Sequence, residues 1–178
     1  MNLRFTSACL LLAAALPAAA AIDAARLSKA VVIIEGKTFD GGTSHGTGFL
    51  TTVSGQLVIA TNQHVLRGNS SFTIKNAAGA NFRPRAILAA ADRDVALLQV
   101  EAADALADAL PLAADINQST AKGDDLLAPG NSQGGGVLLT TAGKLLAIGP
   151  DRIEIDNPIF QGNSGGPIIH QNSGQVIG

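Results

Sequence analysis

Gly162-Asn163-Ser164-Gly165-Gly166-Pro167, close to the C-terminal end of the sequence, is the stretch on which its reading turns. A serine with glycines around it fits poorly inside a helix or strand. It fits a tight loop that projects one hydroxyl and frees backbone N–H groups. A developing oxyanion needs such donors, and the glycines let the loop turn so that two of them converge. Upstream stand Ala60-Thr61-Asn62-Gln63-His64-Val65 and Asp92-Arg93-Asp94-Val95-Ala96-Leu97. A serine, a histidine and an aspartate in these settings suggest a nucleophile, its base and the group that orients the base.

The chemistry explains the residue types. A serine hydroxyl is un-ionised at neutral pH, so acyl transfer through it needs a base. Imidazole is suited to take that proton and return it, and a carboxylate behind the ring fixes its tautomer. The chain has three histidines. His64 ends a strand-like run and begins a turn, where a side chain can face a cleft. His45 sits in a polar Gly/Ser/Thr stretch and reads as a solvated loop residue. His170 follows Pro167-Ile168-Ile169 and reads as a strand end. Asp94 is preferred to Asp92 because it directly abuts the apolar run that starts at Val95. The histidines show no metal-ligand spacing, so no metal is expected. Gly134-Gly135-Gly136 reads as a mobile loop and not a phosphate cradle, because no Walker lysine pattern follows. No cofactor is expected.

The 178 residues make one domain or two small subdomains. Hydrophobic residues are 47% of the chain, with no Trp or Tyr, so the core must rest on Val, Ile, Leu and Ala. The net charge is −2 and no basic cluster appears, which leaves nucleic-acid binding unsupported. Residues 1–21 read as a secretory signal: Arg4, then an apolar stretch over residues 9–16, then Pro17 and small alanines. The stretch is too short for a comfortable membrane span, so no stable membrane anchor is expected. Cleavage removes Cys9, the only cysteine, and leaves neither disulfide nor thiol nucleophile. A secreted or periplasmic location is expected.

Past the leader, short apolar or alternating runs are broken by Gly, Asn and Asp. Candidate strands are residues 31–34, 47–52, 57–60, 72–75, 85–89 and 95–100, then 126–128, 137–141, 144–148, 153–156, 167–170 and 175–177. Gly55, Gly79, Gly143 and Gly174 fall between neighbours as hairpin turns. Such spacing reads as all-β, a sandwich or barrel. An Ala/Leu-rich segment over residues 102–110 suggests a helical turn that Pro111 ends, with about six candidate strands on each side.

These motifs resemble those of the trypsin-like (chymotrypsin-fold) serine proteases, closest to the disulfide-free bacterial HtrA/Deg-type branch. The likeness lies in Thr61 to Val65, Asp94 to Leu97 and Gly162 to Gly166, with Thr47-Gly48-Phe49 similar to the Gly-rich strand before the histidine. The order His, Asp, Ser fits this fold and not the subtilisin or α/β-hydrolase orders. The resemblance covers residues 31–178. It implies two antiparallel six-stranded β-barrels with the active site between them, in a peptidase domain over residues 22–178. The first barrel takes residues 30–110. The second takes residues 111–178 and is incomplete, lacking the strand that walls the pocket and pairs with substrate.

By the same resemblance Ser164 is the nucleophile, His64 the general base and acid, and Asp94 the orienting carboxylate. The backbone N–H groups of Gly162 and Ser164 form the oxyanion hole. Asp156 resembles an aspartate upstream of the nucleophile loop, with a turn role as its alternative. The segment before the serine offers no acidic residue, so Ile159 is expected in an apolar pocket for small or medium aliphatic side chains. The implied activity is that of a secreted serine endopeptidase, acting on polypeptides through an acyl-enzyme on Ser164 and impaired by the missing strand. The alternative is a catalytically weak scaffold or fragment that binds peptides or partners without turnover. No oligomeric state is implied.

Overall fold

The computed structural model describes residues 22–101 and 103–178. The signal-peptide reading at residues 1–21, with Cys9, lies outside them. After helix α1 (Ala24–Ala30), the first half forms β1 (Val31–Thr38), β2 (Thr43–Val53), β3 (Gln56–Thr61), β4 (Asn69–Asn76), β5 (Asn81–Phe82), β6 (Pro84–Ala89) and β7 (Ala96–Val100), with the short helix α2 (Gln63–Leu66) after β3. These strands make one sheet in the order β5-β4-β1-β2-β3-β7-β6. Its two edge strands, β5 and β6, are separated in the chain by Arg83 alone. The sheet must therefore curl until its edges meet, which makes it a barrel.

Successive side chains in a strand point to opposite faces. In β1, Val32 and Ile34 enter the barrel interior with Leu50, Ile59, Ile74 and Leu98, while Val31 faces Leu27, Phe49, Leu110 and Ile169 on the other side. Burial on both faces explains why this strand reads as an unbroken apolar run. Leu50, Ile59 and Leu98 are wholly buried, and each such side chain contributes about 1.5–3 kcal/mol by leaving water.

The second half holds a 3₁₀ helix (Ala103–Asp108), helix α3 (Ile116–Ser119), and β8 (Asp125–Gly130), β9 (Leu139–Ile148), β10 (Ile153–Ile155), β11 (Ile169–His170) and β12 (Gln175–Val176). The strands form a five-stranded sheet in the order β10-β9-β8-β11-β12. The all-β, two-sheet architecture stands, with seven and five strands in place of six and six. The two-residue β5 adds one strand. In the second half, two expected strands are fused into β9.

Gly55, Gly79 and Gly174 lie in turns, all at positive φ. Gly143 does not: β9 runs straight through it. The reason is Asn157, whose backbone nitrogen lies 2.6 Å from where a Cβ of residue 143 would stand. The Asn157 amide donates across this gap to the carbonyls of Thr141 (3.1 Å) and Leu126 (3.3 Å). Glycine here makes room for a crossing segment.

Residues 110–113 stitch the sheets together. Leu110 N–H donates to the Leu50 carbonyl (2.8 Å), and the Thr51 hydroxyl donates to the Leu110 carbonyl (2.8 Å). On the other side, Ala113 N–H donates to the Val176 carbonyl (2.9 Å), and Val176 N–H to the Pro111 carbonyl (2.8 Å). Among the described residues, no helix is long and apolar enough to cross a membrane.

Candidate active site

β3 and β7 pair antiparallel, with Thr61 opposite Ala96. The residues that leave β3 therefore meet those that enter β7, and a sequence separation of 30 residues closes to contact. The His64 ring nitrogen Nδ1 lies 2.5 Å from Asp94 Oδ2, and His64 backbone N–H donates to Asp94 Oδ1 (3.0 Å). Both carboxylate oxygens are engaged by one residue. Desolvation pushes the Asp94 carboxyl up, but the hydrogen bonds from the His64 side chain and backbone, with the attraction of its ring, outweigh it and hold Asp94 below its ordinary value. The pair stays open to solvent, with side chains 56% and 50% exposed.

Two neighbouring amides brace the aspartate loop. The Asn62 side chain donates to the Asp94 carbonyl (2.6 Å), and the Gln63 side chain donates to the carbonyls of Ala90 (2.5 Å) and Arg93 (2.7 Å). Both sit in the motif that carries His64, but sequence reasoning assigned them no role. The signal was two consecutive amides directly after a strand-like run and before His64. Asp92, the rival of Asp94, makes no side-chain hydrogen bond among the described residues.

The other histidines lie elsewhere. His45 is solvated as expected, yet it stands on β2 and not in a loop, paired with Glu35 of β1 and with its ring against Gly134. His170 ends β11 and is buried. Its Nδ1 is 2.9 Å from the Ser173 hydroxyl. Its Nε2 is 3.2 Å from Asp124 Oδ2 but off the line a hydrogen bond needs. Asp156 takes a structural part, accepting the Lys144 backbone N–H (2.5 Å).

Ser164 stands in a loop of two tight turns, with Asn163 N–H donating to the Phe160 carbonyl (3.0 Å) and Gly166 N–H to the Asn163 carbonyl (2.9 Å). Gly162 (φ +93°) and Gly165 (φ +84°) adopt the left-handed conformation that favours glycine. At Gly165 a Cβ would also collide with the Thr61 hydroxyl and the Thr47 carbonyl, and would lie 2.9 Å from the Asn62 nitrogen. The Ser164 loop thus lies directly on β2 and the end of β3, next to Asn62 at the start of the helix that carries His64. Among the described residues, the N–H groups of Gly162 and Ser164 donate to no protein acceptor.

Ser164 lines a cleft of about 230 Å³ with Asn62, Ala128, Ile155, Ile159 and Ile168. Ile159 is half-exposed in it. The structure thus brings His64 and Asp94 into contact and packs the Ser164 loop against Thr61 and Asn62, two residues before His64. No hydrogen bond joins the Ser164 hydroxyl to the His64 ring. A cavity of about 260 Å³ on the outside of the seven-stranded sheet, lined by Glu35, Lys37, His45 and Thr73 among others, shares no residue with this cleft.

Residues 46–178 match the family described as the trypsin-like peptidase domain. The chain is similar to the probable periplasmic serine endoprotease DegP-like of Rhizobium meliloti, 32% identical over 142 residues, which are 76% of this chain and 27% of the relative. It is also similar to the chloroplastic Protease Do-like 1 of Arabidopsis thaliana, 31% identical over 144 residues, covering 75% of this chain and 32% of that protein. The chain thus spans about a third or less of the length of these relatives. Among solved structures, the serine endoprotease from Yersinia pestis superposes with a TM-score of 0.71 at 26% identity, over 86% of this chain and 54% of that one. By sequence match and by fold, the chain belongs to the trypsin-like peptidase domain family, among relatives that are HtrA/DegP-type serine proteases.

Proposed function

We propose that the chain is a serine endopeptidase that cleaves polypeptides through an acyl-enzyme on Ser164. The observation that carries this reading is the two-point grip of Asp94 on His64, beside a glycine-flanked serine. Because Asp94 engages Nδ1, Nε2 is left as the acceptor for the Ser164 proton. Ser164 Oγ attacks the scissile carbonyl carbon as His64 takes that proton. The tetrahedral oxyanion is met by the N–H groups of Gly162 and Ser164, each such donor being worth roughly 3 kcal/mol in the transition state. His64 then protonates the leaving amine, and a water activated by the same ring hydrolyses the ester. Catalytic hydrogen bonds in unliganded sites are often long and tighten on the substrate, which accommodates the open Ser164–His64 contact.

No charged residue lines the cleft at Ser164, and Ile155, Ile159 and Ile168 make it apolar. We therefore assign it small or medium aliphatic side chains before the scissile bond. A peptide library cleaved mainly after Arg or Lys would overturn that assignment. The leader-like residues 1–21 and the relative named as a probable periplasmic protease together support action outside the cytoplasm.

The unmade Ser164–His64 bond favours one other reading, a scaffold that binds peptides without turnover. A fluorophosphonate probe separates the two. The peptidase reading expects covalent labelling that maps to Ser164. Well-folded protein that takes up no probe would leave the scaffold.

A further inference from the structure

We infer that Thr47 is a positioning residue for the oxyanion hole, a role that rests on the peptidase reading above. Thr47 lies on β2 and is wholly buried. Its hydroxyl donates to the Gly162 carbonyl (2.7 Å) and accepts from Asn131 N–H (2.9 Å). Its backbone N–H donates to the Ser164 carbonyl (2.8 Å), and its own carbonyl accepts from the Thr61 hydroxyl (2.6 Å). One residue of the first barrel therefore holds two carbonyls of the nucleophile loop, at positions 162 and 164, and ties them to the second sheet at Asn131.

The geometry of the peptide unit gives these bonds a catalytic meaning. In a trans peptide the carbonyl and the following N–H point in opposite directions. The Gln161 carbonyl accepts from Gln133 N–H (2.6 Å), so Gly162 N–H is directed away from that partner. The Asn163 carbonyl accepts from Gly166 N–H (2.9 Å), so Ser164 N–H is directed away from that turn. Thr47 anchors the two peptides in between and after, Gly162–Asn163 and Ser164–Gly165. Four successive peptides are then pinned by their carbonyls, two of them by Thr47, and the N–H groups of Gly162 and Ser164 are left unengaged. Only a side chain that both donates and accepts can bridge the Gly162 carbonyl and Asn131 N–H at once. A hydroxyl does this; an isosteric isopropyl group does neither.

The test is fluorophosphonate inactivation of the full chain and of Thr47→Val and Thr47→Ser, read as the maximal inactivation rate and the half-saturating probe concentration, with melting curves to verify folding. For T47V the maximal rate is expected to fall by about a hundredfold, the usual consequence of a small misplacement, at unchanged half-saturation. T47S, which keeps the hydroxyl, is expected to react at the wild-type rate. Should T47V not fold, Thr47→Ala removes the same hydroxyl with less bulk and takes its place. A folded T47V or T47A that reacts at the wild-type rate overturns the inference alone, as does a T47S as slow as T47V or a change confined to half-saturation. A wild-type chain that takes up no probe overturns the peptidase reading, and this inference with it.

Discussion

Replacing Ser164 with alanine is expected to lower kcat for a cleavable peptide by about six orders of magnitude, the scale seen when a hydroxyl nucleophile is removed from such a site. The effect is large because no substitute is at hand. The cleft at Ser164 is lined by aliphatic side chains, amides and glycines, and the sole cysteine, Cys9, belongs to the leader-like stretch. Without Ser164 the His64–Asp94 pair has no proton to take from a bound nucleophile, and what persists is the rate that binding and the loop N–H groups give to water. Turnover of a peptide library by wild-type and S164A protein, followed by mass spectrometry, measures it. An S164A protein with a rate within about tenfold of wild type would place the chemistry elsewhere.

Asp94→Asn is the second large effect, with an expected loss of about 10⁴ in kcat near neutral pH, or about 5.4 kcal/mol of transition-state stabilisation. The asparagine is nearly isosteric, so the loop braced by Asn62 and Gln63 is retained. What changes is the partner of His64 Nδ1. A carboxylate can only accept there, which keeps the proton on Nδ1 and leaves Nε2 as the base. An amide can present its NH₂ group instead and hold the ring in the wrong tautomer.

The same substitution has a signature in acid. The Asp94 carboxyl is held below its ordinary value. Its bonds to His64 therefore contribute stability that is present in full above about pH 4, the ordinary aspartate range. That contribution is lost as the pH falls through the depressed value. Solvent screens a pair this exposed, so it is small. D94N carries no such carboxylate and is expected to lack this acid-side loss. Urea midpoints between about pH 2 and 6, a range that spans the aspartate titration, decide it for wild type and D94N. Identical pH profiles would count against the pairing.

Much of this arrangement could be read from residues alone, and what escaped has a physical cause. Ser164, His64 and Asp94 announce themselves because each sits where local rules disfavour it unless it serves a purpose. One is a hydroxyl among glycines, one an imidazole at a strand end, one a carboxylate at the lip of an apolar run. Gly143 misled because a glycine between two apolar runs resembles a turn. Its reason is Asn157, far along the chain and past the next strand, which local pattern does not display. The two runs are fused into β9 because β8 pairs with it straight through Gly143, which stands opposite Leu126. Thr47 was visible only as part of a Gly-rich motif. Its bonds reach residues 115 and 84 positions away, and no periodicity reports on partners at that distance.

The division of the site between two sheets bears on the chain before it has folded. His64 and Asp94 come together as soon as β3 and β7 pair, but Ser164 joins them only once the last third of the sequence has docked, through contacts of very long sequence separation. Such contacts are slow to form. During synthesis the proposed hydrolytic centre is thus two inert halves, and a molecule whose sheets part again is disarmed at once. For the proposed peptidase, completed tertiary structure is then the safety catch that spares neighbouring chains yet to fold.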